Sequence, residues 1–554
     1  MDVGQRRLDQ VLSFGVGLVT VFITPWFSYD PLNVSRMLLL SVVASMAFFL
    51  ILPQLRLSKM FDYRVVMVLL LLFIFQLILV LIVGPGDKWQ QFFGAGGRQT
   101  GFLTYLSLVV LMLASAIASS KILLQKALKA LIASGSLSIL YGLIQSVGLD
   151  PIGWTNPYSP VFGFFGNPNF QASFLGLSAA AVTVFLLAGG TRALWRVLCG
   201  LFVISAVYVI YESKSQQGFL VYGIGTSIAV MIFFFKNLNL RKYRFLILGG
   251  GIIGFVGVFL DILQKSPWNS ILYKPSVSFR GDYWRAGWSM TLERPVFGVG
   301  LDSYRDWFFR HRDAVTASRP EATNSTDSAH NVFLDFSANG GFPLLIIYIG
   351  LIVLTIVSAV KIFRRMAGFD AYFVAIFIAW VGYLAQSLIS INQIGLAVWG
   401  WVTSGLIIGF EIKTRSEIDS KVKLQSKFRK TDNEAGVSMR IAAGLVSGLA
   451  LGLPAFLADS NFRSSIDSRN IERITATADK WPQDVIRMNY ISRLFLQNEL
   501  PDKALEIARK AVIVAPNNFQ AWKILYELPN VPATEKAKAL TMMKRLNPLV
   551  TDFS

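Results

Sequence analysis

Thirteen apolar runs, most of them long enough to cross a bilayer, constrain this chain more than any other feature. A hydrocarbon core about 30 Å thick takes roughly 20 apolar residues as helix. The runs lie near 11–28, 36–53, 65–84, 101–119, 130–147, 171–188, 197–211, 218–235, 245–262, 342–360, 371–390, 396–411 and 441–457. Backbone polar groups inside a bilayer must bond within their own segment, so each run predicts a helix. The expected fold class is an all-α polytopic membrane protein.

The links between the runs alternate in charge. One set carries Arg6 and Arg7; Arg56, Lys59 and Arg64; Lys121, Lys126 and Lys129; Arg192 and Arg196; Lys236 and Arg241 to Arg244; Lys361, Arg364 and Arg365; and the basic stretch 412–440. The other set has few Lys or Arg. Basic links stay on the cytoplasmic side, which predicts an N-terminus inside, a C-terminal domain outside, and residence in a bacterial cytoplasmic (inner) membrane. The MDVGQRRLDQ start reads as the lead into a first membrane helix and not as a cleaved signal. A net charge of +19 would fit a nucleic-acid binder if it lay on one face. Here it sits between spans, so no nucleic-acid partner is expected. The single cysteine, Cys199, leaves no intrachain disulfide and no thiolate metal site.

The domain reading is a membrane domain over 1–457, with a long outer loop over 263–341 and a basic cytoplasmic loop over 412–440. A soluble helical domain follows over 458–554. In that last part Ala504, Ala508, Ala511 and Pro516 fall at the spacing of the second helix of a tetratricopeptide repeat. Ser492 and Phe495 take the small and aromatic places of the helix before it, and Trp522 opens the next unit. Pro482, Pro516 and Pro548 end three successive units. Small residues let paired helices approach, and the concave face of such an array commonly holds a protein partner.

Four outward segments carry unusual residues. Between spans three and four, glycines flank Arg98, a cation held at the membrane surface; its simpler use is to reach lipid phosphates. The stretch Gly148–Ser173 is rich in helix breakers around Asn167, Pro168 and Asn169. Such a turn at membrane depth must be buried or line a wet cavity. Asn167 and Asn169 suit sugar hydroxyls, and equally suit capping of the next helix. Lys214 lies outside against the charge rule, with Glu212 as a ready partner. The fourth segment, Ser278–Gly341, holds both histidines, His311 and His330. Arg280, Trp284 and Trp288 recur there every fourth residue, on one helical face, as an interfacial anchor or a binding surface. Asp327 or Ser328 is expected to cap a helix beginning near His330. Positive charge and a helix N-terminus favour neutral imidazole, the form a general base needs; the plainer role for His330 is a hydrogen-bonded structural one. Cations from three loops beside a membrane fit a lipid-linked phosphate or diphosphate. No DxD-like pair, HExxH or GxxxxGK[ST] is present, so neither a metal nor a nucleotide cofactor is expected.

At these same segments the chain resembles the O-antigen ligase and polymerase superfamily, bacterial membrane glycosyltransferases that use undecaprenyl-diphosphate-linked glycans. The resemblance rests on FGAGGRQTG at 93–101, YGLIQSVGLDP at 141–151, FGFFGNPNF at 162–170, ERPVFGVG at 293–300 and AHNVFLDFSANGGFPLL at 329–345. It implies metal-independent, inverting transfer, with the glycan as substrate and no cofactor. It implies His330 as the base that activates the acceptor hydroxyl, and Arg280, Arg98 and Lys214 as diphosphate ligands. Ser213-Lys214 stands where Ser-Arg is common, which removes the bidentate fork. Asn167, Asn169, Trp284 and Asn331 are the expected glycan or acceptor contacts. The acceptor is a glycolipid, another glycan or a protein, so polymerase and protein O-oligosaccharyltransferase are the alternatives within the superfamily. A lipid-linked glycan transporter is the rival of another class.

Overall fold

A computed structural model describes residues 3–55, 61–154, 159, 161–189, 192–237, 245, 249–250, 275–318, 325–420 and 433–550. Among these residues the regular elements are helical. The first expected span is a continuous helical run in three pieces, α1 (Val3–Gln10), a π-helical turn (Val11–Gly15) and α2 (Val16–Val21). Then come α3 (Asn33–Ile51), α4 (Arg64–Val83), α5 (Lys88–Phe93), α6 (Phe102–Ala118), α7 (Lys121–Ser146), α8 (Pro168–Leu187), α9 (Ala193–Glu212) and α10 (Gln216–Lys236). The outer loop contributes α11 (Pro275–Glu293), α12 (Tyr304–His311) and α13 (Ala314–Ala317), followed by α14 (Val332–Arg365), α15 (Ala371–Ser387), α16 (Ile394–Ser420) and α17 (Glu434–Ser468).

Nine of the described helices are long and apolar enough to cross a membrane, and two shorter apolar ones, α6 and α15, accompany them. Most of the expected span near 245–262 lies outside the described residues, as do residues 421–432 of the basic loop. Burial separates the layers. Helix α8 is 83% buried and the apolar part of α16 94% buried, against 33% for α4 and α9. The first two are therefore the central helices. Small residues make this possible, because helices in lipid associate by close packing rather than by hydrophobic exclusion. The last span shows it best: Gly444, Gly448 and Gly452 repeat every fourth residue along α17. A Cβ on each would strike the α3 backbone at Met46, Val42 and Leu38, and Ser41 Oγ donates to the Gly448 carbonyl at 2.9 Å.

Helix α14 breaks at Gly341, whose φ of 76° interrupts helical geometry just before Pro343. The break divides an outer piece, Val332 to Gly340, from the expected span that begins at 342.

Beyond α17 five helices, α18 (Ile471–Ala478), α19 (Val485–Gln497), α20 (Pro501–Val514), α21 (Phe519–Glu527) and α22 (Ala533–Leu546), stack as hairpins. Ser492 Oγ donates to the Ala504 carbonyl at 2.9 Å, which is the close helix approach its small size permits. These helices do not stand apart. Their apolar core is continuous with Tyr304, Phe308 and Phe309 of the outer loop.

Candidate active site

The site is built from the glycine turn outward. After α5 the chain reverses through Gly94 and Gly97, both at positive φ, where a side chain would be strained. Asp302 holds the turn. Its Oδ2 accepts from the Ala95 and Thr100 amides at 2.7 and 3.2 Å, and its Oδ1 lies 3.3 Å from Arg98 Nε. Arg98 Nη1 then donates to the Asp327 carbonyl at 2.7 Å and faces the Asp327 carboxylate at 3.5 Å. Burial pulls the Arg98 guanidinium down, but Asp302 and then Asp327 outweigh it and hold the charge above its ordinary range. Arg98 is only 7% exposed. The charge expected to meet a diphosphate is already met by two carboxylates, because the turn folds Arg98 inward instead of toward lipid.

Asp327 opens a short loop that ends at His330. Ser328 Oγ accepts from the His330 amide at 3.0 Å, and the Ala329 amide donates to Asp335 Oδ1 at 2.8 Å. These bonds fix His330 at φ 50°, a left-handed conformation unusual for a residue with a side chain. The helix cap is Asn331, not Asp327 or Ser328. Its Oδ1 accepts from the Phe333 and Leu334 amides at 3.0 and 3.1 Å, while its Nδ2 donates to the Leu388 carbonyl at 2.9 Å. Asn331 was expected among the glycan contacts, and most of its hydrogen-bonding capacity is used in shaping the loop.

The His330 ring lies against Tyr283, centroids 5.4 Å apart, and neither ring nitrogen takes a hydrogen bond among the described residues. Tyr283 is held in turn by the Tyr304 hydroxyl, which donates to its carbonyl at 2.5 Å. Burial lowers the His330 pKa to about 4, with Asp327 opposing and Arg280 and Arg98 reinforcing. The imidazole is therefore neutral at ordinary pH and mostly buried.

Arg280 sits on the expected helix α11, with Trp284 one turn on. Its Nη2 donates to Gln217 Oε1 at 3.4 Å. Among the described residues no carboxylate forms an ion pair with it, and burial lowers its pKa. Gln217 Nε2 reaches Ser173 Oγ at 2.8 Å, and Ser215 Oγ donates to Asn169 Oδ1 at 2.7 Å. Arg280, the segment after α9 and the Asn-Pro-Asn turn are thus one polar network. Asn167 caps α8 by accepting from the Asn169 amide at 2.9 Å. Lys214, at φ 56°, stands 3.9 Å from Glu212 with its side chain 62% exposed, and its ammonium lies 4.6 Å over the Tyr211 ring. The Trp284 indole N–H is buried with no hydrogen-bond partner among the described residues. Trp288 is exposed and meets Phe342 edge-on.

Sequence reasoning missed the framework residues. Asp302, Tyr283 and Gln217 order the site but match no motif, and Asp327 was read only as a candidate helix cap. Arg36 was read as a span residue; it is fully buried, donates to the Phe164 carbonyl at 2.6 Å and props the Asn-Pro-Asn turn from below. The one available signal was an arginine inside an apolar run, which is costly unless used. The second histidine, His311, has a separate place: Nδ1 lies 3.1 Å from Ser289 Oγ and Nε2 3.4 Å from Glu293.

Residues 169–349 match the family model described as O-Antigen ligase. The match takes in Asn169, Lys214, Arg280, Trp284, Asp302, Asp327, His330 and Asn331, and leaves the glycine turn and the C-terminal helices outside it. No curated protein matches the chain.

Proposed function

We propose, for a chain whose residues 169–349 match the O-antigen ligase family model, that it belongs to the O-antigen ligase and polymerase superfamily and transfers a glycan from undecaprenyl diphosphate to an acceptor hydroxyl. The observation that carries this is one pairing: an imidazole kept neutral, with both nitrogens without hydrogen bonds among the described residues, beside an arginine whose described partner is an amide and not a carboxylate. The two side chains lie close enough for the Arg280 charge to act on the His330 imidazole.

In the reaction the acceptor oxygen attacks the anomeric carbon of the donor sugar from the face opposite the diphosphate. The new O–C bond forms as the C–O bond to phosphorus breaks, and its electron pair leaves on the diphosphate. His330 takes the acceptor proton, and Arg280 stabilises the developing phosphate charge. This inverts the anomeric centre and routes no step through a metal. Lys214 adds a mobile point charge at the rim. Arg98 acts as a positioning residue, through Asp327, on the loop that aims His330. Asn169 and Trp284 face the donor or acceptor glycan.

The same reading places thirteen spans in the bacterial cytoplasmic membrane, N-terminus inside, with the site and the tetratricopeptide-like hairpins on the outer face. Its test is release of undecaprenyl diphosphate from a lipid-linked glycan by the purified protein. His330→Ala should lower the rate by about 10²- to 10⁴-fold, the usual worth of a positioned base. Unchanged release would remove His330 from the chemistry.

A further inference from the structure

Helix α11 ends in a turn that fills the break in α14. The Phe342 amide donates to the Pro295 carbonyl at 2.7 Å, and a Cβ on Gly341 would come within 2.4 Å of the Val296 backbone. Gln76 of α4 fixes the depth of this turn. Its Nε2 donates to the Val296 carbonyl at 2.7 Å and to the Gly340 carbonyl at 3.0 Å. Gln76 lies seven residues before the end of α4 at Val83, about 10 Å along a helix that rises about 1.5 Å per residue. Helix α4 has 20 residues, enough to cross the hydrocarbon layer once, and its Phe75, Ile78 and Ile82 are exposed. The turn therefore sits beside the apolar band and not beyond its end.

Charge at that depth is costly unless it is used. Glu293 is answered by Arg310 Nη2 at 2.8 Å and His311 Nε2 at 3.4 Å. Arg294 has no such answer. Among the described residues no carboxylate pairs with it and its guanidinium donates no hydrogen bond; Nε is enclosed, but the two Nη groups are not. Its guanidinium carbon lies 4.8 Å from the centre of the Trp307 ring, and this stacking holds the group in place. The surface beside it is apolar. Leu292 and Val296 are 58% and 49% exposed, and Ile346 and Ile349 of α14 continue the exposed surface. A stacked guanidinium beside exposed hydrocarbon suits a phosphate carried on acyl chains, which its fork can grip bidentately. Arg280 stands fourteen residues earlier, about 20 Å along α11, too far for one diphosphate to meet both.

We infer that Arg294 and the apolar surface beside it bind a glycerophospholipid, with its phosphate on the guanidinium and its chains along Leu292 and Val296. The inference rests on the bilayer placement of α4 and not on the transfer reaction. The bound lipid secures one end of α11, the helix whose other end carries Arg280 and Tyr283.

The test is native mass spectrometry of the full-length protein in detergent, with dioleoylphosphatidylglycerol and dioleoylglycerol as probes. Wild type should hold the phospholipid at least about tenfold more tightly than the same chains without phosphate, the worth of a charge-assisted contact. Arg294→Gln should remove that preference. Leu292→Glu, which sets a carboxylate on the path of the chains, should weaken retention about tenfold and decides the matter should Arg294→Gln fail to fold. Arg280→Ala should retain the phospholipid as wild type does. Neither inorganic phosphate nor an equal concentration of undecaprenyl diphosphate should displace it. Equal retention of the two probes, unchanged retention in either Arg294→Gln or Leu292→Glu, loss of retention in Arg280→Ala, or displacement by either phosphate compound would each overturn the inference.

Discussion

Arg98 donates to the backbone carbonyl of Asp327 at 2.7 Å, three residues before His330. This bond ties a turn between two early membrane helices to the loop that carries His330, across more than two hundred residues of sequence.

If Arg98 positions rather than binds, its loss should resemble the loss of its partner. Arg98→Ala and Asp302→Ala should each destabilise the protein by about 3–5 kcal/mol, since each breaks a buried ion pair by removing one partner. The double variant should cost much less than their sum. Thermal unfolding in detergent measures this. A diphosphate ligand would behave differently: Asp302→Ala would be mild, and Arg98→Ala would raise KM for the lipid donor without loss of stability.

Arg280 should show the opposite pattern. Arg280→Ala should leave thermal stability within about 1 kcal/mol, because its described bond is one long contact to Gln217. It should lower kcat/KM for the lipid-linked donor by about 10- to 100-fold, the loss of a charge-assisted phosphate contact. Arg280→Lys should recover part of that. Equal effects of the two substitutions would argue against phosphate contact.

The sequence made the candidate site residues legible and their framework illegible, for a physical reason. His330 and Arg280 stand in the one long polar stretch between apolar runs, where a titratable group is conspicuous. The break in α14 was readable from Gly341 and Pro343. The charge partners of Arg98 were not, because Asp302 and Asp327 are ordinary loop acids until the fold brings them to the turn. Asn331 took the cap expected of Asp327 or Ser328, since His330 in the left-handed region moves the helix start two residues on. The alanine spacing in 504–511 foretold helix hairpins. Nothing in it foretold that their core would be shared with Tyr304 and Phe308.

That shared core carries a prediction. Asn518 Nδ2 donates to the buried Asp306 carboxylate at 2.7 Å, and Phe309 packs on Phe519 at 4.9 Å. Asn518→Ala should cost about 1–3 kcal/mol by leaving Asp306 short of a donor. It should also make the loop near Arg312 more sensitive to limited proteolysis, because Arg312 bonds Asn547 of the same domain. A cut pattern like that of wild type would mean the domain docks without supporting the loop.

Acid should act through both histidines. Burial holds His330 and His311 near a pKa of about 4, against 6.5 in the unfolded chain. Below pH 6.5 the unfolded state takes protons first, so stability falls as pH drops from about 6.5 toward 4 and does not depend on these groups above 6.5. His311→Gln should flatten part of that decline between pH 6.5 and 5, against the opposing contribution of Asp335 and Asp459, whose carboxyls burial raises to about 7. Activity differs: kcat/KM reports the free enzyme and should keep His330 fully basic down to about pH 5. In kcat the acid limb should move upward, because a bound diphosphate favours the imidazolium.

The most direct test is glycan transfer in a host lacking its own ligase and polymerase, comparing wild type with His330→Ala at matched membrane levels. The account predicts a transferred glycan with wild type, its size ladder separating chain growth from single transfer, and none with His330→Ala. Full transfer by His330→Ala would contradict it.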